Sequence, residues 1–146
     1  MMRSTQARAG ALAAILMVLI GCSSPAATGN PGGAPSATAA TVEAKGAVVV
    51  AGSNGMSVYT FAKDTAASGT SACTAGCLTT WPALTVPAGG TPSAGAGVTG
   101  KLGTITRTDT GALQVTYNGL PLYFFSGDKA AGDLNGVYTN WNSVKP

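Results

Sequence analysis

The sequence predicts a mainly β domain made of two duplicated, hairpin-based repeats that share one core, preceded by a disordered, lipid-anchored tether. The first observation is a motif, N-G-x-x-[V/L]-Y-x-F-x-x-D, that occurs at residues 54–64 and again at residues 118–128. The second is that each copy leads to a tryptophan, Trp81 or Trp141, so the duplicated unit is longer than the motif. The third is that no stretch beyond the N-terminal leader keeps a 3.6-residue apolar period, whereas β-branched runs alternate with turn residues.

Residues 1–21 have the features of a secretory signal peptide. Arg3 and Arg8 precede an apolar run, residues 9–20, that is too short to span a bilayer as a mature helix. The run ends in L-I-G-C, which resembles the bacterial lipobox, whose cysteine is diacylated and becomes the new N-terminus. Cys22 is therefore the predicted lipid attachment residue. The predicted location is extracytoplasmic and lipid-anchored to a bacterial membrane, either the outer face of the cell membrane or the periplasm and outer membrane.

Residues 22–45 predict a flexible tether after the lipidated cysteine. Ser, Pro, Ala, Gly and Thr dominate this stretch, which holds too few large apolar side chains to bury a core. Removal of the leader also removes two of the eight basic residues, and the six that remain face five acidic ones. The mature chain is thus nearly neutral with scattered lysines, so nucleic acid is not an expected partner.

Residues 46–146 predict a single β domain, with repeat 1 at about 46–84, a Gly/Pro-rich loop at about 87–100 and repeat 2 at about 101–146. In repeat 1 the Asn54-Gly55 turn joins strands at 47–51 and 58–62, and in repeat 2 Asn118-Gly119 joins strands at 113–117 and 122–125. A further turn at 109–111 adds a strand at 103–107. About fifty residues in each half are too few for an independent core, so the halves should share one.

The motif side chains are interpreted as core, and a ligand-binding aromatic face is the alternative. Residues two apart in a strand share a face, so the Tyr and Phe of each copy project together. Aspartates that follow a strand normally accept turn N–H groups, which gives them a structural interpretation as well. The repeat-motif residues, structural or binding, are Tyr59, Phe61, Asp64, Trp81, Tyr123, Phe125, Asp128 and Trp141.

The absence of histidine excludes whole classes of chemistry. Serine and cysteine triads, histidine-ligated haem and most zinc and copper sites all require it. Cys73 and Cys77 predict a structural disulfide in an exported protein, with a redox-active dithiol as the alternative although the spacing is not C-x-x-C.

Two partial motifs are interpreted as turns. Asp109-Thr110-Gly111 matches the D-T-G of aspartic proteases, but a second copy is missing. Residues 133–136 match part of a calcium loop whose first ligand position is Ala131 and whose closing glutamate is replaced by Asn142. The sequence therefore predicts no catalytic residue, no metal ligand and no cofactor.

These residues resemble a known group, the bacterial secreted-repeat lipoproteins defined by Y-x-[FWY]-x-x-D. The resemblance rests on residues 58–65, the cysteine pair, T-W-P-A-L at 80–84, and residues 114–119 and 121–128. Family members often have histidine after the Asn-Gly pair, where this chain has Leu120. The resemblance implies an exported, usually lipidated β domain and no established biochemical activity.

The expected function is that of a membrane-anchored, non-enzymatic binding or structural module of the cell envelope. Its expected partners are the membrane, through the N-terminal lipid, and an envelope protein or a small ligand. An envelope redox or electron-transfer accessory is the alternative, and a hydrolase that uses Asp64 and Asp128 ranks third.

Overall fold

The computed structural model describes residues 40–146, so Cys22 and most of the predicted tether lie outside the described residues. The elements in chain order are β1 (Thr41–Lys45), β2 (Val48–Ala51), β3 (Tyr59–Phe61), α1 (Cys77–Thr80), β4 (Thr85–Val86), β5 (Ser93–Ala94), β6 (Leu102–Thr106), β7 (Leu113–Tyr117), β8 (Leu120–Pro121) and β9 (Trp141–Ser143). Within residues 40–146, no helix is long and apolar enough to cross a membrane. The domain is mainly β, as the sequence predicts.

Two predicted boundaries are wrong. The predicted tether runs to residue 45, but residues 41–45 form β1, which pairs antiparallel with β2 and parallel with β5. The predicted loop at 87–100 contains β5 itself. Both segments are poor in large apolar side chains, and β1 buries one of them, Val42, completely. Their structure depends on main-chain hydrogen bonds to distant partners, which composition does not reveal.

Each repeat begins with an antiparallel hairpin. In repeat 1, β1 and β2 pair with Glu43 opposite Val50, and in repeat 2, β6 and β7 pair with Ile105 opposite Gln114. The predicted turn at 109–111 joins the second hairpin, and Gly111 adopts a φ of 70° there. Such a positive φ suits glycine because it has no Cβ.

The second Asn-Gly pair forms the two-residue turn between β7 and β8. Both Asn118 and Gly119 have positive φ, 51° and 82°, as a type I′ turn requires. In repeat 1 the corresponding loop is longer, and the Asn54 side chain accepts the N–H of Met56 at 2.9 Å. Both Asn-Gly pairs therefore form turns, but not of identical geometry.

Beyond these turns the two repeats are intertwined. β9, which contains Trp141, pairs antiparallel with β3 of repeat 1. Residues 80–84 pair in the same way with residues 122–126 of repeat 2, because Leu84, Phe124 and Ser126 donate their N–H groups across the gap at 2.7–3.0 Å. The predicted hairpin strands thus begin on their own repeat and continue against the tryptophan segment of the other.

The backbones of Tyr59 and Tyr123 meet at the centre of this exchange. The Tyr59 N–H donates to the Tyr123 carbonyl at 2.8 Å, and the Tyr123 N–H donates to the Tyr59 carbonyl at 3.0 Å. The arrangement relates the two repeats by an approximate two-fold symmetry. Each repeat needs the other to satisfy its backbone groups, so the domain folds as one unit.

The shared core predicted from the repeat is present in two clusters. The first is aliphatic and draws buried residues from both repeats: Val42, Val49, Ala51, Val58, Leu84, Val86, Val115, Tyr117, Leu122 and Val144. The second is aromatic and sulfur-containing, with Tyr59, Cys73, Trp81, Tyr123 and Trp141 buried. Large rings fill the second cluster because the rest of the domain is made of small side chains.

Candidate functional site: the aromatic cluster and its crossed tyrosine–aspartate pairs

Four rings from the two repeats stack in a row. Trp81 and Trp141 lie face to face, with centroids 3.7 Å apart and planes 4° from parallel. Phe61 covers the outer face of Trp141 at 4.3 Å, and Phe125 covers that of Trp81 at 4.6 Å. Each tryptophan is thus sandwiched between the tryptophan and the phenylalanine of the other repeat, which follows from the exchanged pairing of the tryptophan segments.

The two motif tyrosines meet the stack with their edges. Tyr59 makes a T-shaped contact with Trp81 at 5.7 Å, and Tyr123 makes the equivalent contact with Trp141 at 5.1 Å. Both tyrosines have no exposed surface, whereas the two phenylalanines are only half-buried. The interpretation of the motif as core is therefore supported, with the tyrosines as its most buried members.

The tyrosine hydroxyls cross to the aspartates of the opposite repeat. Tyr59 donates to Asp128 Oδ2 at 2.7 Å, and Tyr123 donates to Asp64 Oδ2 at 2.8 Å. The other carboxylate oxygen of each aspartate accepts a loop N–H group of its own repeat. Asp128 accepts the N–H of Asn135 at 3.0 Å, and Asp64 accepts the N–H of Ala72 at 2.7 Å. Each motif aspartate therefore holds its own loop and the other repeat's tyrosine, and also accepts the turn N–H predicted from the sequence.

Burial and the aspartates keep both hydroxyls protonated. Burial raises the pKa of Tyr59, and the hydrogen bond to Asp128 raises it further. Burial also raises the pKa of Tyr123; a hydrogen bond to Ser71 lowers it, and the hydrogen bond to Asp64 raises it. A phenolate formed at either position would lack solvent and face a carboxylate.

Arg107 connects the Tyr123 side of the cluster to the D-T-G turn. It is 3 % exposed and forms a two-pronged pair with Asp109, with Nε and one terminal nitrogen at 2.9 and 2.7 Å from the carboxylate oxygens. The same guanidinium donates to the Ser71 hydroxyl at 3.1 Å, the Cys73 carbonyl at 2.7 Å and the Gln114 amide oxygen at 2.5 Å. This arginine lowers the pKa of Asp109, chiefly through the hydrogen bond.

The D-T-G turn thus serves to position a buried arginine. Gln114 is fully buried and extends the hydrogen-bond network of Arg107, because its side-chain amide donates to the Leu122 carbonyl at 2.9 Å. Arg107 and Gln114 were not predicted from the sequence, since the alternation of the strand gave no sign that these polar positions turn inward. The turn predicted at the D-T-G segment is present between β6 and β7, and its aspartate is paired with Arg107.

The loop between aspartate and tryptophan is closed differently in the two repeats. In repeat 1 the predicted disulfide between Cys73 and Cys77 is present, with Cα atoms 5.4 Å apart. In repeat 2 Asp133 closes the loop, because its carboxylate accepts the N–H groups of Lys129 and Ala130 at 2.8 and 2.9 Å. Those two bonds also lower the pKa of Asp133. The calcium-like segment is accordingly a turn.

Two cavities on the surface are lined by other parts of the domain. One cavity of about 380 Å³ is lined by residues that include Lys101, Thr116 and Asn118, and another of about 500 Å³ lies beside Thr106 and Leu113. Neither is lined by a tyrosine, phenylalanine, aspartate or tryptophan of the repeat motif. Within residues 40–146, no three acidic or cysteine side chains converge as a metal site would need. The hydroxyls of Tyr59 and Tyr123 are hydrogen-bonded to the carboxylates of Asp128 and Asp64.

The structure adds one residue to the aromatic cluster that the motif does not contain. Tyr138 makes edge contacts with Trp81 at 6.1 Å and with Phe125 at 5.6 Å, while 55 % of it stays exposed. Its position three residues before Trp141 was the available sequence signal, since Leu78 stands three residues before Trp81 and packs against the same cluster.

The fold and the cluster define a small, disulfide-closed β domain made of two intertwined copies of one unit. Comparison with protein families identifies that unit: residues 39–85 and 103–145 match the family described as a secreted repeat of unknown function. The chain belongs to this family, and it is an extracytoplasmic protein in keeping with the family's description. The first match begins at residue 39, which agrees with the inclusion of β1 in the repeat. Comparison with curated proteins and with solved structures gave no match.

Proposed function

We propose that the protein is a membrane-anchored extracytoplasmic lipoprotein whose β domain acts as a non-enzymatic binding or structural module of the cell envelope. The observation that supports the non-enzymatic part is that the aspartates and tyrosines of the motif already have hydrogen-bond partners within the domain. Both aspartates and both tyrosines hydrogen-bond to each other and to the backbone, and Tyr59, Tyr123 and Asp128 are buried. Catalytic carboxylates would need a free face toward a substrate.

Matched aspartate variants test this part of the proposal. Asp64→Asn and Asp128→Asn replace a charged acceptor of the tyrosine hydroxyl, so a structural role predicts lower melting temperatures in both. A carboxylate hydrolase predicts unchanged melting temperatures together with loss of an activity against envelope polymers. The second result would overturn the non-enzymatic role.

The anchoring part is supported by the lipobox, which lies outside the described residues. Intact mass spectrometry of the processed protein from its native membrane should find acyl chains on Cys22, and Cys22→Ser should release the protein or leave its leader uncleaved. An unmodified, processed wild-type chain would contradict the anchor. Affinity capture from the native envelope, with the anchored protein as bait, then tests the binding role.

The redox alternative has one observation in its favour, the stack of tryptophans that reaches the surface through Tyr138. Cys73, however, is fully buried and its carbonyl is held by Arg107 at 2.7 Å, which disfavours exchange through an accessible dithiol. Thiol labelling after equilibration with glutathione buffers separates the two. Cysteines that stay blocked support the structural role, and reversible labelling supports the redox role.

A further inference from the structure

The exposed apolar surface of the domain is concentrated in one loop. Among the described residues, the large hydrophobic side chains that stand exposed are Leu134 (44 %), Val137 (52 %) and Tyr138 (55 %). All three belong to residues 129–140, the segment between Asp128 and Trp141, which we name the apolar loop. Exposed apolar groups that occur together indicate a contact surface, whereas scattered ones do not.

The duplication shows that the fold does not require these side chains. The equivalent loop of repeat 1, residues 65–80, exposes Ala, Ser, Gly and Thr, and the position that corresponds to Tyr138 is the half-buried Leu78. Both loops connect the same two motif positions and hold the same aromatic stack. The apolar groups of repeat 2 are therefore additions to the common scaffold.

The apolar loop is held in place by its polar contacts. The Asn135 N–H donates to Asp128 at 3.0 Å, and the Gly136 N–H donates to the Tyr59 hydroxyl at 3.3 Å. Gly136 is packed so closely that an added Cβ would lie 2.7 Å from the Tyr59 ring. Together with the edge contact of Tyr138 on Trp81, these contacts present the apolar side chains from a preorganised base.

The charges around the loop favour an anionic surface. Lys129 belongs to the loop, and the Lys45 ammonium lies 3.5 Å from the Ala131 carbonyl at its base; both lysines are exposed. The carboxylates of the segment are occupied on the protein side: Asp133 accepts two backbone N–H groups, and Asp128 is buried against Tyr59. Both ammonium groups donate to backbone carbonyls, that of Lys129 to Ser126 at 2.6 Å, and neither forms an ion pair with a carboxylate within residues 40–146, so their positive charges are not neutralised there.

The size of the patch favours lipid over a folded protein. The exposed surface of the three side chains adds up to about 300 Å², if each whole side chain offers roughly 200 Å², as an aromatic one does. A standard protein–protein interface, or a stable dimer of this chain, needs about 800 Å² from each partner. A membrane interface has no such threshold when a second attachment already holds the protein close.

We propose that the apolar loop inserts into the headgroup region of the membrane that carries the protein, with Lys45 and Lys129 beside anionic headgroups. This inference rests on the proposed lipid anchor. The composition of residues 22–39 predicts a flexible tether, for which the square-root rule gives a root-mean-square span of roughly 23 Å. A tether of that length would keep the anchored domain within reach of the bilayer. The tether raises the local lipid concentration, and the loop then fixes the face that the domain turns to the membrane.

The test uses the full lipoprotein, reconstituted in vesicles of phosphatidylcholine with about one quarter phosphatidylglycerol, with and without brominated lipid. Tyr138→Trp places a fluorescent reporter in the apolar loop, and Thr74→Trp places the matched reporter in the loop of repeat 1. Wild-type protein gives the background from Trp81 and Trp141. Circular dichroism and thermal melts establish that both variants keep the fold, as expected for substitutions at exposed positions.

If the loop inserts, brominated lipid reduces the added fluorescence of Tyr138→Trp at least two-fold and leaves that of Thr74→Trp unchanged. Equal quenching of the two reporters overturns the proposal. A concentration-dependent blue shift of Tyr138→Trp without lipid overturns it in favour of a second copy of the chain. The intact mass of the same sample shows separately whether Cys22 carries lipid. If Cys22 is unmodified, the quenching of the two tryptophan reporters is compared at millimolar lipid, and that comparison still tests whether the loop inserts.

Discussion

Replacement of Tyr59 by phenylalanine tests the crossed tyrosine–aspartate pairs directly. The ring and its contact with Trp81 remain, and the change removes the hydroxyl that donates to Asp128 at 2.7 Å. Asp128 is 6 % exposed and keeps the Asn135 N–H as its other partner, so water replaces the lost donor poorly. A hydrogen bond to a charged group contributes about 1.5 to 3 kcal/mol, and we expect Tyr59→Phe to reduce the free energy of unfolding by about 2 kcal/mol.

The second pair supplies a graded comparison. Asp64 is half-buried, so water solvates its carboxylate when Tyr123→Phe removes the hydroxyl, and the expected loss is about 1 kcal/mol. Tyr138→Phe is the control, because the Tyr138 hydroxyl makes no hydrogen bond within the described residues and 55 % of the residue is exposed. We expect no measurable change for this control.

The assay is chemical denaturation of the three variants, with thermal melts in support. For a domain of about one hundred residues, 2 kcal/mol corresponds to a melting temperature lower by roughly 10 °C. A double-mutant cycle of Tyr59→Phe with Asp128→Ala isolates the pair, and a coupling of at least about 1 kcal/mol is expected. If Tyr59→Phe is as stable as Tyr138→Phe, or if the cycle shows no coupling, the crossed pair does not hold the repeats together and the reasoning fails.

Three further results are expected. Ser57→Ala should leave the stability unchanged or raise it by up to about 1 kcal/mol in denaturation curves, because Ser57 is 1 % exposed and its hydroxyl has no hydrogen-bond partner within residues 40–146; a loss above that size would contradict this account. Reduction of the Cys73–Cys77 disulfide should lower the free energy of unfolding by about 2 kcal/mol, the loop-closure value for so short a ring, and an unchanged melting curve in reductant would count against a stabilising role. The free energy of unfolding should stay level up to about pH 10 and then fall. The pKa values of Tyr59 and Tyr123 are raised in the folded protein, so above the unfolded value near 10 the unfolded chain loses its tyrosine protons first. Each tyrosine then lowers the free energy of unfolding by about 1.4 kcal/mol per pH unit. Denaturation curves measured across that range check the sign, and a stability that rises there would refute it.

The motif predicted residues that form the aromatic cluster, but it did not show how deeply each of them is buried. The structure leaves both phenylalanines half-buried at the ends of the stack and buries both tyrosines completely. Alternation along a strand indicates that two residues share a face, but it does not tell which of them lies nearer the pseudo-two-fold axis.

The sequence by itself determined the duplication, the β class, the Asn-Gly turns, the cysteine pair and the need for a shared core. These features depend on local chemistry: the positive φ that Asn and Gly tolerate, the short cysteine spacing, and the small number of apolar residues in each half.

Only the tertiary structure decided which groups are partners. It pairs each tryptophan segment with the other repeat, sends each tyrosine hydroxyl to the other repeat's aspartate, and brings Arg107 inward. It also recruits residues 41–45 into a sheet. The two copies share their Asn, Gly, Tyr, Phe and Asp and so present the same hydrogen-bonding groups, and the local pattern fits pairing within a repeat as well as between repeats. The choice is made by the burial of both aromatic sets in one cluster, a property of the folded chain as a whole.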